Sequence, residues 1–143
     1  MAIPAPEPGL VLNYAYLWHN EHLAGQEEGR KDRPSVIVLN MMSQSDHAEI
    51  VTVLPITHTA PVDAMAAIEI PRAIKKHLGL DEARSWIIIA EGNEFVWPGY
   101  DLRQAPKTGA YTYGFLPPRF FNQVLDAFLS FHEAGQLKTT PRS

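Results

Sequence analysis

The chain contains no cysteine among its 143 residues. This absence excludes disulfide bonds, thiolate nucleophiles and zinc sites built from cysteine. The chain also lacks an uninterrupted apolar run of about eighteen residues, the length that a membrane-spanning helix needs. Its first residues have neither the basic stretch nor the apolar stretch of a signal peptide. We therefore expect a cytoplasmic protein with no membrane partner.

Positive charge is scarce as well. The chain has 12 Lys and Arg against 16 Asp and Glu, which gives a formal net charge of -4. A protein that binds a nucleic-acid backbone relies on Lys and Arg to neutralise phosphates, so any RNA footprint is expected to be small. Basic residues do cluster in two stretches, at positions 30–33 and 72–76. These stretches either supply local phosphate contacts or are ordinary solvated surface charges.

Length and composition predict one globular domain. A hydrophobic content of 45% and a charged content of 20% are typical of a folded chain, and 143 residues are too few to expect two domains. We expect residues 1–8, which are rich in proline, to be a flexible arm. Residues 9–135 then form the domain, and residues 136–143 form a tail.

Apolar patterns predict a series of short strands. Large apolar residues occupy every second position from Leu10 to Trp18, the period of a strand with one buried face. Further apolar runs predict strands at 35–41, 48–56, 66–70 and 85–91, and a short strand or extended link at 111–113. The polar segment from 19 to 32 is predicted to be a long loop.

Two helices complete the predicted elements. Pro71 and Gly79 bracket a short helix near 71–78. Apolar residues at helical spacing predict a C-terminal helix near 118–134, which Gly135 ends and which should pack on the sheet. Together the elements predict a mainly β fold of the α+β class. We expect a small, strongly bent sheet or partly open barrel of about five to seven strands.

Polar side chains at the ends of the predicted strands are the candidate functional groups. Arg33 precedes the second strand, and a guanidinium can donate two parallel hydrogen bonds to a phosphate. Thr57 ends the third strand and either donates to a phosphate oxygen or caps the strand. His58 is either an acid or base near neutral pH or an ordinary turn residue. Glu91 closes the fifth strand as a general base or as a turn acid.

Several short segments occur in an order and spacing that resemble a known protein family. They are Pro8-Gly9-Leu-Val-Leu, Arg33-Pro34, Pro55-Ile56-Thr57, Gly79-Leu80 and Ser85-Trp-Ile-Ile-Ile-Ala-Glu91. Over roughly residues 9 to 102 the chain thereby resembles the PemK/MazF-like toxins of bacterial type II toxin-antitoxin systems. The resemblance implies an SH3-like barrel with a C-terminal helix.

The resemblance also implies an activity. These toxins are endoribonucleases that need no metal or other cofactor, because the ribose 2'-hydroxyl itself attacks the adjacent phosphate. Arg33, Thr57 and Glu91 match catalytic positions of the family, and His58 stands beside them where many members carry serine. We expect Arg30 and Lys31 to bind RNA from the preceding loop. The resemblance further implies a homodimer that is neutralised by a cognate antitoxin.

Two departures from the family pattern favour a different function. Ile89 stands where some active members place an arginine that binds the phosphate, and the long loop carries the acidic residues Glu27 and Glu28. The alternative is a barrel that has lost cleavage and acts as a nucleic-acid or protein binding module.

A metal-dependent hydrolase that uses His19 and His22 is a third possibility. It lacks an evident third ligand, so no metal site is predicted. Asp101 and Arg103 are expected to form a surface pair of little energetic weight.

Overall fold

The computed structural model describes residues 3–26 and 31–142. Within these ranges the secondary structure elements follow one another in this order: β1 (Leu10–Tyr14), α1 (His19–Leu23), β2 (Arg33–Met42), β3 (Glu49–Thr57), β4 (Ala67–Glu69), α2 (Arg72–Leu78), β5 (Trp86–Ile88), β6 (Glu91–Val96), β7 (Thr112–Phe115), α3 (Pro118–Glu133) and β8 (Lys138–Pro141). A short 3-10 turn at Ala64–Ala66 leads into β4.

The strands form one mostly antiparallel sheet. Its main path runs β4-β5-β3-β2-β1-β7, and β3 also pairs with β6, which in turn pairs in parallel with β8. Within the described residues no pairing joins β4 to β7, so the sheet is not closed. The predicted mainly β, α+β class is confirmed, with eight strands instead of the expected five to seven. None of the described helices is long and apolar enough to cross a lipid bilayer.

The core lies on both faces of the sheet. On one face, α3 buries Phe120, Val124 and Phe128 against a cluster that includes Val36 and Leu54. The helical spacing predicted this packing, and the helix has the expected bounds to within one residue. The other face buries an aromatic cluster that includes Tyr14, Tyr16 and Phe95. Register shifts in β1 and β2 mark bulges, which increase the local twist of a strand.

Two predicted strand boundaries were wrong. The segment 85–91 forms two strands, so Glu91 begins β6 instead of closing the fifth strand. A continuous apolar run gave no sign of the break after Ile88. The first strand ends at Tyr14, four residues before Trp18. The side chains of residues 15–17 are nevertheless buried, which explains why the apolar pattern continued.

Two elements were missed altogether. The predicted tail contains β8. Only Thr140 of this strand is buried, so its sequence Lys-Thr-Thr-Pro shows no alternation of apolar and polar residues. The predicted loop from 19 to 32 begins with the single-turn helix α1. This helix has no buried residue, so the sequence carries no hydrophobic signal for it.

Candidate functional site

A cleft of about 1170 Å³ brings most of the predicted site residues together. It is lined by Lys31 and Arg33 near the start of β2, Thr57 and His58 at the end of β3, and Glu91 at the start of β6. Arg30 lies outside the described residues. The strand order explains the convergence, because β3 pairs with β2, β5 and β6. The cleft is therefore the candidate active site.

Arg33 is held against an aromatic ring. Its guanidinium carbon lies 4.9 Å from the centre of the Trp18 ring, a cation–π distance. Its Nε is buried and has no hydrogen-bond partner among the described residues. Burial lowers the pKa of Arg33 from its ordinary value, while Glu21 and Tyr16 oppose that change. An arginine stays charged in proteins, so Arg33 places a fixed positive charge at the wall of the cleft.

Glu91 is fixed by two hydrogen bonds to one carboxylate oxygen. The Tyr16 hydroxyl donates to Oε2 at 3.0 Å, and the His19 backbone N–H donates to the same atom at 2.9 Å. Burial raises the pKa of Glu91 above its ordinary 4.5, although both hydrogen bonds and the charge of Lys138 act in the opposite direction. A positioned carboxyl whose pKa is raised above its ordinary value is suited to general acid–base chemistry.

Tyr16 donates its hydroxyl hydrogen bond to Glu91 and is influenced by the charge of Arg33. Burial and then Glu91 raise the pKa of Tyr16, whereas the positive charge of Arg33 lowers it. Tyr16 is therefore a neutral phenol that donates to Glu91 within the field of Arg33. From the sequence, Tyr16 was interpreted only as a core residue of the first strand. Nothing in its position relative to Glu91, 75 residues away, could have predicted this contact.

Thr57 caps the end of β3. Its Oγ1 accepts a hydrogen bond from the Thr59 backbone N–H at 3.2 Å, and its side chain is buried. The local capping expected as one alternative is thus present. A hydroxyl that accepts one bond can still donate another, so Thr57 retains a donor for a ligand in the cleft.

His58 is tied to the loop that follows α2. Its Nε2 lies 2.9 Å from Oδ2 of Asp81, and its Nδ1 lies 3.1 Å from both the Ser85 hydroxyl and the Arg84 carbonyl. Partial burial raises the pKa of Asp81, but Lys75 and His58 lower it by more. His58 must release Asp81 before it can exchange a proton through Nε2 with a ligand in the cleft.

Lys75 belongs to the second basic stretch, 72–76, but it is buried. Its Nζ donates to Oδ1 of Asp81 at 2.8 Å, to the Ser85 hydroxyl at 2.7 Å and to the Ala83 carbonyl. These partners occupy all three of its donors. Lys75 therefore fixes the loop from 81 to 85, against which His58 rests, and it is not available to a phosphate.

Ile89 belongs to the core. Its side chain is only 2% exposed and packs in the cluster beneath α3, whereas Ile88 lines the cleft. Ile89, which stands where the resemblance implied a phosphate-binding arginine in some members, thus contributes no charge to this cleft.

The charges that line the cleft are mixed. Lys31, Arg33 and Lys107 contribute positive charge, while Asp32, Asp63 and Asp81 contribute negative charge. Two of these carboxylates also act on Tyr113 of β7. Its pKa is raised by burial and then by the negative charges of Asp32 and Asp81. A polyanion in this cleft would therefore meet both attractive and repulsive charges.

The described residues offer no metal centre, since they contain no group of three or more His, Asp or Glu that could hold an ion. His19 and His22 lie in α1.

Comparisons with protein-family models, curated proteins and solved structures return no match to this chain.

Proposed function

We propose that this chain is a PemK/MazF-like endoribonuclease with an SH3-like barrel, which cuts single-stranded RNA without a metal ion. The observation that carries the proposal is the convergence of Glu91 and Arg33 at one cleft, with the buried Tyr16 hydrogen-bonded to Glu91. The Glu91 carboxyl, whose pKa is raised by burial and which accepts a hydrogen bond from a buried phenol, shares the cleft with the Arg33 guanidinium. These are the groups that transesterification of RNA requires.

Each residue has a role in the proposed reaction. Glu91 takes the proton of the 2'-hydroxyl, whose oxygen forms a bond to phosphorus. Arg33 and the hydroxyl of Thr57 stabilise the negative charge of the phosphorane. The bond from phosphorus to the 5'-oxygen then breaks, and that oxygen takes a proton from His58 once His58 has left Asp81. The products are a 2',3'-cyclic phosphate and a 5'-hydroxyl.

The proposal includes a homodimer and a cognate antitoxin, both of which follow from the resemblance. An extended acidic peptide from an antitoxin would pair with Lys31 and Arg33 in the place of RNA phosphates. Such binding should weaken as salt is added.

A binding module without cleavage is the second candidate, and two observations favour it. Ile89, which directly follows β5, is buried in the core and supplies no cation to the cleft. His58 is engaged by Asp81 at 2.9 Å, so the candidate acid is occupied.

Incubation of the purified protein with mixed RNA in excess chelator tests the proposal. We expect fragments that end in 2',3'-cyclic phosphates. Arg33→Ala removes a charged phosphate contact worth about 2 to 4 kcal/mol in the transition state, a loss of about 30- to 1000-fold in rate. Glu91→Gln keeps the shape of the site and removes the base.

The matched controls are Arg119→Ala and Glu94→Gln, which change exposed residues that do not line the cleft. Both controls should cleave at the wild-type rate. RNA that binds without being cut would favour the binding module. RNA that neither binds nor is cut would overturn the proposal.

A further inference from the structure

A second pocket adjoins the cleft on the side of α1. Its volume is about 670 Å³, and its lining includes residues of α1 together with Lys138 of β8. Three residues line both cavities, namely Trp18, Asn20 and Glu91. The carboxyl that we assign as the base therefore stands at the boundary between two cavities.

Lys138 is the cation of this second pocket nearest to Glu91 in the sheet. The parallel pairing of β8 with β6 places Lys138 directly opposite Glu91. Its positive charge reaches the carboxylate, because it lowers the pKa of Glu91 against the larger effect of burial. Its side chain is exposed, and its ammonium has no hydrogen bond or ion pair within the described part of the chain.

RNA transesterification requires nucleotides on both sides of the reacting phosphate. One nucleotide supplies the attacking 2'-hydroxyl, and the next carries the departing 5'-oxygen. A base at the boundary of two cavities is placed so that the nucleotides on either side of it occupy different cavities. Lys138 would then meet the phosphate that follows along the strand into the second pocket, because ammonium groups neutralise backbone phosphates.

We propose that the pocket formed by α1 and Lys138 is a second RNA subsite, which binds the nucleotide beyond the reacting phosphate. This inference rests on the proposed function. The ligand class is a single-stranded ribonucleotide chain, and Lys138 contacts its backbone without reading the base.

The test compares three variants by fluorescence anisotropy, with labelled RNA oligonucleotides that 2'-O-methyl groups protect from cleavage. Lys138→Ala should weaken binding by about 5- to 10-fold, the effect of losing one hydrogen bond of ordinary net strength at an exposed site. It should also reduce the slope of log affinity against log salt by about 0.7. Lys138→Arg should restore both values. Lys76→Ala, which removes an exposed charge outside both cavities, should change neither.

Truncated oligonucleotides locate the subsite. One series of oligonucleotides is shortened stepwise from the 5' end and another from the 3' end. In only one of the two series should Lys138→Ala and the wild type bind equally well below a certain length. Equal binding of Lys138→Ala and Lys76→Ala at every length would overturn the second subsite and leave the proposed function standing. Failure of the wild type to bind any RNA would overturn both.

Discussion

Asn93 holds both backbone polar groups of Leu17. Its Nδ2 donates to the Leu17 carbonyl at 2.8 Å, and its Oδ1 accepts from the Leu17 N–H at 3.0 Å. The chain has already left β1 at this point, so a fully buried side chain replaces the strand ladder. Asn93 lies two residues after Glu91 on β6, and the segment that it holds carries Tyr16 and Trp18. The strand that carries the candidate base thus also fixes the segment whose Tyr16 hydroxyl donates to that base.

Substitution of Asn93 by alanine should destabilise the protein strongly. It leaves the N–H and the carbonyl of Leu17 buried without their partners, which costs about 2 to 4 kcal/mol in the free energy of unfolding. Urea unfolding followed by circular dichroism measures the change. Asn122→Ala, at an exposed position of α3, is the matched control and should cost less than about 0.5 kcal/mol. Equal unfolding midpoints for the two variants would contradict this role of Asn93.

Arg142 anchors the segment that was predicted to be a tail. Its Nη2 lies 2.7 Å from Asp101, and the two side chains are only 4% and 12% exposed. Its Nη1 donates to the Ala15 carbonyl and to Oδ1 of Asn93, each at 3.0 Å. The predicted surface pair of Asp101 and Arg103 is therefore wrong, because Asp101 is buried with Arg142 while Arg103 lies 3.8 Å from Asp32.

The contrast between a buried and an exposed ion pair gives a second prediction. Arg142→Ala breaks a buried ion pair together with two hydrogen bonds and should lower the free energy of unfolding by about 3 to 5 kcal/mol. Arg84→Ala breaks an exposed pair with Glu69 and should cost less than about 1 kcal/mol. Denaturant unfolding of both variants compares them directly. A smaller loss for Arg142→Ala than for Arg84→Ala would show that the C-terminal segment does not anchor the fold.

The fold could be predicted from the sequence wherever one face of an element is buried. The spacing of Phe120, Val124 and Phe128 predicted α3, and Pro71 with Gly79 predicted α2. β8 and α1 could not be predicted, because they are held by pairing and by local backbone contacts while their side chains are mostly exposed. The spacing of apolar residues does not predict such elements.

The candidate site was predictable only in part, for a related reason. Arg33, Thr57, His58 and Glu91 lie near strand ends, where polar residues that flank apolar runs are visible in the sequence. Tyr16 and Lys138 are not marked in that way. Tyr16 has the pattern of a core residue, and Lys138 approaches Glu91 only through the parallel pairing of β8 with β6. Long-range pairing of this kind leaves no local signal.

The raised pKa of Glu91 predicts how stability depends on pH. A carboxyl whose pKa is higher in the folded state than in the unfolded chain binds more protons when folded, so its contribution to stability is present below pH 4.5 and is lost as the pH rises through the folded value. Glu91→Gln cannot ionise. Its free energy of unfolding, relative to that of the wild type, should therefore be higher at pH 7 than at pH 4.

Urea unfolding of both proteins at a series of pH values checks this dependence. Glu94→Gln, an exposed position on the same strand, provides the control and should keep a nearly constant difference from the wild type. A Glu91→Gln curve that runs parallel to the wild-type curve would mean that burial does not disfavour the ionised carboxyl.

The hydroxyl of Tyr16 offers the most specific test of Glu91 as the base. This hydroxyl donates to the carboxylate at 3.0 Å and so lowers the pKa that burial raises. Tyr16→Phe removes the donor and keeps the ring, so the pKa of Glu91 should rise further. If the ionised carboxylate takes the proton of the 2'-hydroxyl, the acid limb of the pH profile of kcat/KM should move to higher pH.

Tyr14→Phe is the matched control for this experiment. The Tyr14 hydroxyl is buried and makes no hydrogen bond among the described residues, so its removal should neither shift the limb nor reduce stability. A titration of the Glu91 carboxyl by carbon NMR follows the same pKa independently of activity, and it should show the upward shift in Tyr16→Phe alone. The pKa of Glu91 could rise in the NMR titration while the acid limb stays in place. That outcome would confirm the contact between Tyr16 and Glu91 and would remove Glu91 from the role of the base.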